Sequence, residues 1–370
     1  MTEPLSYFDY AASTPVDPAV IAQMQVALAD LYANVSSNHS AAQPVRQAEQ
    51  LAREQVASLV GAVAESILWT SGATESNNLA IFGVCDFYRR RGNHLICSAT
   101  EHSSVLTPMR QLEKDGYELT VLTPDSEGLV QPEQLQEALR EETILVSIHH
   151  ANNETGVLQD IPALAERLRG TSTLLHVDAA QSAGKTAISV DELGCDLLSL
   201  SAHKMYGPKG IGALYIRRKP RVQLTPLFYG GGQQQALRPG TLPTHQIIGF
   251  GRAADIANQQ MVSEQEQLWQ FHRALLAGIN SFQLNGHSHQ RLPGIINLSH
   301  TDSQYDPVKE LTSFALANGA ACNSSQPGPS HVLRAMGRDA SNAAHALRIS
   351  FGRFTTKDEI HRLGTALSQL

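Results

Sequence analysis

No apolar run in this chain approaches the roughly 20 residues that a membrane helix needs. Met1 to Tyr10 also lack the basic-then-apolar pattern of a secretion signal. Cysteine is scarce: Cys85, Cys97, Cys195 and Cys322 are the whole complement, and no two of them form a C-x-x-C pair. Neither a disulfide framework nor a zinc site is therefore indicated, and a cytoplasmic enzyme with reduced thiols fits best. Positive charge is in deficit as well. A formal net charge of -7 argues against a protein whose main task is gripping phosphate backbones, so no stable nucleic-acid binding and no membrane partner are expected. Internal repeats and low-complexity segments are absent.

What remains is ordinary for a soluble globular protein: 370 residues, 42% hydrophobic and 17% charged, enough for two domains. Short β-rich runs recur at Ile67 to Thr70, His94 to Ser98, Leu119 to Thr123, Thr143 to Ile148, Thr173 to Val177, Asp196 to Ser201 and Ile211 to Arg217. Most lie a βα crossover apart, and several read as continuous apolar runs, which predicts a largely parallel sheet covered by helices on both faces. Only the gap between Ser201 and Ile211 is too short for a helix, and it predicts a hairpin or a loop. After Thr241 the texture changes to long helices over Gln246 to Leu276, a strand at Ile295 to Ser299, a helix near Pro307 to Ala317, a small-residue loop, a strand at Ala346 to Phe351 and a closing helix. This reads as a smaller α+β domain hinged near residues 245 to 260. The expected division is a large domain at 15–250, and a small domain at 1–14 and 251–370 carrying a mobile loop at about 318–331.

Ligands of open α/β sheets bind beyond the carboxyl ends of the strands. Those ends here carry Thr70-Ser71-Gly72-Ala73-Thr74-Glu75, Thr100-Glu101-His102, Asn152-Asn153-Glu154, Asp178-Ala179-Ala180-Gln181 and Ser201-Ala202-His203-Lys204. The residue types match one task, holding pyridoxal phosphate. A Gly-Ala-Thr turn opening a helix attracts a phosphate. An aspartate suits the pyridinium nitrogen, a lysine forms the Schiff base with the aldehyde, and His102 can stack on the ring and carry protons.

Together these motifs resemble the cysteine desulfurases of the NifS/IscS type, within the class V aminotransferases of fold-type I. The resemblance runs from Asp9-Tyr10-Ala11-Ala12-Ser13-Thr14-Pro15 through Ser201-Ala202-His203-Lys204-Met205-Tyr206-Gly207-Pro208-Lys209-Gly210 and Gly230-Gly231-Gly232-Gln233 to Arg348-Ile349-Ser350-Phe351-Gly352-Arg353. It implies a mostly parallel seven-stranded sheet sandwiched by helices, and a homodimer. It makes Lys204 the Schiff-base lysine, Asp178 the partner of the pyridine nitrogen and Gln181 the partner of the phenolic oxygen. Ala73, Thr74, Ser201 and His203 would hold the phosphate, with Thr241 reaching it from the partner subunit. His102 would stack and handle protons, while Asn153 and Arg348 would grip the substrate carboxylate.

Cysteine is an ordinary core residue, and Cys85, Cys97 and Cys195 fit that reading. Cys322 does not, because Asn318-Gly319-Ala320-Ala321-Cys322-Asn323-Ser324-Ser325 is too small and polar for a core. The family has its nucleophilic cysteine seven residues before a Pro-Ser, here Pro329-Ser330. The resemblance therefore implies desulfuration of L-cysteine to L-alanine, with a persulfide on Cys322 that passes to a protein sulfur acceptor. That acceptor would serve iron–sulfur assembly, or thiolation of tRNA, DNA or a cofactor. Two departures stand out. Pro239 replaces the Ser or Ala more usual before Gly-Thr and has no amide N–H to offer a phosphate. The chain also ends at Leu370 without the extension by which housekeeping members dock a scaffold protein, so a specialised acceptor is expected.

Overall fold

A computed structural model describes residues 5–302, 304–318 and 328–370. The chain opens with β1 (Ser6–Tyr7), α1 (Pro18–Asp30) and α2 (Ala42–Leu59). Strands and helices then alternate: β2 (Ile67–Thr70), α3 (Ala73–Tyr88), β3 (His94–Ser98), α4 (Ser103–Lys114), β4 (Glu118–Leu122), α5 (Pro132–Ala138) and β5 (Thr143–His149). The alternation continues with α6 (Ile161–Arg167), β6 (Leu174–Asp178), α7 (Val190–Leu193), β7 (Leu197–Ser201) and β8 (Gly212–Ile216). These strands form a seven-stranded sheet in the order β2-β8-β7-β6-β5-β3-β4. Neighbours from β7 to β4 are parallel, and β8 runs antiparallel to both β2 and β7. The short Ser201 to Ile211 connection, predicted as a hairpin or loop, closes that antiparallel pair through a single 3-10 turn at Ala202–Lys204.

The central strands are apolar on both faces because both faces are covered. In β7 all five residues are buried. Leu197 packs on the α3–α4 side with Leu95 and Leu145, while Leu198 and Leu200 pack on the α2 side with Val56 and Phe250. Successive side chains thus enter opposite cores, as a strand requires.

The long-helix region is one continuous helix, α8 (Thr244–Leu276), of 33 residues, which spans roughly 50 Å. Ile247, Phe250, Ala253, Ala254 and Ala257 lie in the core of the large sheet. Phe271 and Leu275 lie in a second core with Phe8, Ile296, Leu298, Ile349 and Leu363. The predicted hinge therefore falls inside an unbroken helix shared by both cores. Beyond it come β9 (Phe282–Leu284), β10 (Ile295–His300), α9 (Pro307–Glu310), β11 (Phe314–Ala315), β12 (Ala317–Asn318), α10 (His331–Ala335), α11 (Ala340–His345), β13 (Leu347–Ser350) and α12 (Lys357–Ser368). A four-stranded antiparallel sheet runs β12-β13-β10-β9, and β1 pairs with β11.

The helix expected near Pro307 to Ala317 is a single turn. Asp306 caps it and Pro307 starts it. Pairing of Phe314 with Ser6 and of Ala317 with Arg348 then draws the following residues into strands, a tertiary override of local propensity. Among the described residues, no helix is long and apolar enough to cross a membrane.

The sheet also buries polar groups. His176 on β6 sits between Ser147 Oγ at 2.7 Å and Ser199 Oγ at 2.9 Å, and burial pushes its imidazole down to about 4. The unfolded chain, titrating near 6.5, binds the extra proton between those values. This residue's contribution is thus complete above about pH 6.5 and lost as pH falls toward 4. Buried Glu154, pushed up to about 7, acts in the opposite sense, so the test is a difference. Urea unfolding of wild type and His176→Asn should show wild type losing on the order of 3 kcal/mol relative to the variant as pH falls from neutral to about 4. A pH-independent difference contradicts the assignment.

Candidate active site

The parallel strands β3, β5, β6 and β7 end on one side of the large sheet, and α3 begins there as well. Thr70 Oγ1 ties the turn after β2 by donating to Gly72 O at 3.1 Å, and it lies 2.8 Å from Ser76 Oγ. The turn packs directly on β8. A Cβ at Gly212 would stand 2.6 Å from both Gly72 Cα and Leu200 O, so only glycine permits this approach. No side chain caps the start of the 16-residue α3. Its first N–H groups and the positive end of its dipole, at Ala73 and Thr74, face the space beyond the strands. Glu75, in the first turn, is drawn aside by Arg238 Nε at 2.9 Å and Ser71 N at 2.7 Å. Burial raises its carboxyl, but these bonds outweigh it and hold the group below its usual range. Ser201 at the end of β7 and His203 in the following turn line the same cavity as Ala73 and Thr74. Burial, then the charges of Lys204, Lys209 and Lys185, push His203 down to about 4.

Asp178 closes β6 and is 6% exposed. Its Oδ2 accepts from Asn77 Nδ2 at 2.8 Å and its Oδ1 from Ala180 N at 2.9 Å. The two bonds fix the carboxylate with lone pairs left over toward the cavity. His102 caps α4, its Nδ1 accepting from Ser104 N at 3.1 Å. That bond puts the neutral ring's proton on Nε2. Burial lowers its pKa, and Lys204 and His331 lower it further against the pull of Asp178, so the ring is neutral at pH 7. Below it, Glu101 Oε1 accepts from His149 N at 2.9 Å and contacts His149 Nδ1 at 2.7 Å. Both side chains are buried. Burial lowers the His149 pKa, but the Glu101 charge more than reverses that.

Lys204 reaches across the end of the sheet to the N-terminal segment. Its Nζ donates to the carbonyls of Ala11 and, at 2.9 Å, Ala12. The segment is held in turn by Thr14, which donates N–H and Oγ1–H to His203 O, each at 3.0 Å. Gln181 Nε2 also donates to Ala11 O, at 2.7 Å.

Nine of the residues predicted from sequence line one cavity of about 470 Å³: Ala73, Thr74, His102, Asn153, Asp178, Gln181, Ser201, His203 and Lys204. That volume suits a small organic ligand. Arg348 is fully buried on β13 behind Asn153, whose carbonyl accepts from Nη1 at 3.3 Å, while Nη2 pairs with Asp9 at 2.8 Å. It does not line the cavity. Thr241 is exposed ahead of α8 and also lies off the cavity. Cys322 falls outside the described residues. Sequence reasoning missed Asn77, the Glu101–His149 pair, the Ala11 and Ala12 carbonyls and Lys185. Lys185 carried one signal, its place four residues beyond Gln181.

Residues 6–363 match the family described as Aminotransferase class-V. A curated relative named cysteine desulfurase IscS, from Aeromonas hydrophila subsp. hydrophila, is 49% identical over 361 residues, covering 96% of this chain and 89% of that protein. Among solved structures, a NifS-like protein superposes with a TM-score of 0.91 at 31% identity, covering 99% of this chain and 98% of that one. A structure of SspA in complex with cysteine superposes with a TM-score of 0.86 at 39% identity, covering 95% of this chain and all of that one.

Proposed function

The chain belongs to the aminotransferase class-V family and is a cysteine desulfurase dependent on pyridoxal phosphate; on that premise we propose how its residues divide the work. The observation that carries the reading is the convergence of an amine, a fixed carboxylate, a neutral imidazole and an uncapped helix start on one cavity. These groups suit the chemistry of the cofactor. The α3 N–H groups with Ser201 and His203 would hold the phosphate, and Asp178 would face the pyridine nitrogen. His102 would cover the ring, Gln181 would meet the phenolic oxygen, and Lys204 would hold the aldehyde as a Schiff base. Thr241 of the partner subunit completes the phosphate site in a homodimer.

When bound, the cofactor supplies the electron sink that makes the substrate α-proton removable and the Cβ–S bond labile. Lys204 Nζ would take the substrate α-proton. His102 moves protons at Nε2, the nitrogen left available by the Ser104 bond. Asn153, which lines the cavity, would orient the substrate carboxylate, and Arg348, buried behind it, would reach that carboxylate by giving up its pair with Asp9. Cys322 thiolate attacks the substrate sulfur. An S–S bond forms, the Cβ–S bond breaks with its electron pair passing to carbon, and that carbon takes a proton. L-cysteine and the Cys322 thiol thus become L-alanine and a Cys322 persulfide, whose outer sulfur passes to an acceptor protein. The cysteine bound in SspA supports this choice of substrate. The buried, unpaired thiols of Cys85, Cys97 and Cys195 suit a reducing compartment, which we take to be the cytoplasm.

The test is product analysis. The holoenzyme with L-cysteine and a thiol reductant should release alanine and sulfide in equal amounts. Pyruvate with ammonia, or amino transfer to a keto acid, overturns the reading.

A further inference from the structure

Directly behind Gln181 lies a second amine. Lys185 Nζ donates to Gln181 Oε1 at 2.9 Å, while on the other side Gln181 Nε2 donates to Ala11 O at 2.7 Å. While protonated, the Lys185 amine donates only, and at any pH the Ala11 carbonyl accepts only. Turning the amide over would therefore set donor against donor and acceptor against acceptor. The pair of contacts leaves the Gln181 side chain one orientation, with its NH2 toward Ala11 O, where Lys204 Nζ also docks.

The local fold is built to place this lysine. Gly184 has φ +73° and carries no Cβ where one would stand 2.9 Å from Met205 Cβ. The turn between Gln181 and Lys185 is thus one that only glycine closes. Gln265 on α8 holds the Lys185 carbonyl. The amine sits in a small cavity shared with Tyr10, Tyr206 and Glu264, and Glu264 is paired with Arg353 Nε at 2.6 Å. Among the described residues, the charge that acts on the Lys185 amine is that of Lys204. Burial, and then Lys204, push the Lys185 amine down to about 7.

We propose that Lys185 is a positioning residue of the cofactor site: it locks the Gln181 amide so that an N–H, not a carbonyl, is presented to the cofactor's phenolic oxygen beside Lys204. This rests on the assignment of Lys204 and Gln181 above. An N–H donated to that oxygen stabilises its negative charge and weakens its hold on the neighbouring imine proton. A positive charge behind Lys204 acts in the same direction. Loss of Lys185 should therefore make the imine proton harder to remove.

The experiment is a pH titration of the visible absorbance of the holoenzyme. Lys185→Met should keep a visible band but titrate on the order of one pH unit higher than wild type, with Lys185→Arg returning toward wild type. Titration of Lys185→Met at the wild-type pH overturns the proposal. Where Lys185→Met is recovered only as aggregate, Lys185→Gln, which keeps a polar side chain but not the charge, is read by the same criterion. Lys204→Ala separates the two levels. A visible band surviving in that variant overturns the cofactor assignment itself, whereas a lost band together with an unshifted Lys185→Met overturns only the role of Lys185.

Discussion

Lys204→Ala should lose the visible absorbance of the holoenzyme and slow alanine formation on the order of a thousandfold or more. Its amine is asked to do two things, to bond the cofactor and to take the α-proton, and a general base alone is worth about 10² to 10⁴. The geometry makes the loss specific. The Ala11 and Ala12 carbonyls hold Lys204 Nζ at the cavity it lines, while the Lys185 amine is spent on Gln181. Lys185 therefore cannot stand in. Thermal unfolding of the variant without cofactor should stay close to that of wild type without cofactor, because the Ala11 carbonyl that Lys204 leaves still accepts from Gln181 Nε2. Retention of the absorbance, or a merely severalfold loss of rate, would contradict the assignment.

Cys322→Ser should still respond spectrally to cysteine yet release no alanine above the uncatalysed background. A thiol titrating near 8.5 is a few per cent thiolate at neutral pH and nucleophilic in that form, whereas a serine hydroxyl is not ionised at all. None of the other three cysteines can substitute. All are buried, and burial pushes Cys85 and Cys195 up to about 12 and Cys97 upward too. A triple variant replacing Cys85, Cys97 and Cys195 with alanine should retain turnover within a few fold if it folds, and Cys85→Ala alone already discriminates. Alanine production by Cys322→Ser at the wild-type rate would remove the cysteine from the chemistry.

The strand ends were readable because a strand, a polar tip and a helix repeat along the chain with the same local grammar. Asp178, Lys204 and His102 each follow a buried apolar run, and the sheet order carries those tips to one side. What could not be read was pairing across long stretches of sequence. The bond of Arg348 to Asp9, 339 residues away, has no local signature. Asn77 sits mid-helix, where only the arrival of Asp178 gives it work. Lys185 looks like any surface lysine until α8 and the N-terminal segment close over it. The continuity of α8 was missed for a related reason. Its two halves serve different cores, so its hydrophobic pattern changes partway along while the helix does not break.

The most direct measurement follows labelled sulfur. The enzyme is treated with cysteine carrying an isotopic sulfur label, quenched by alkylation without reductant, digested and analysed by mass spectrometry. One labelled sulfur atom should appear on the peptide bearing Cys322 and on no other, and it should be absent from Lys204→Ala. Label on Cys85, Cys97 or Cys195, or release of labelled sulfide and alanine with Cys322 never modified, would contradict sulfur transfer through this thiol.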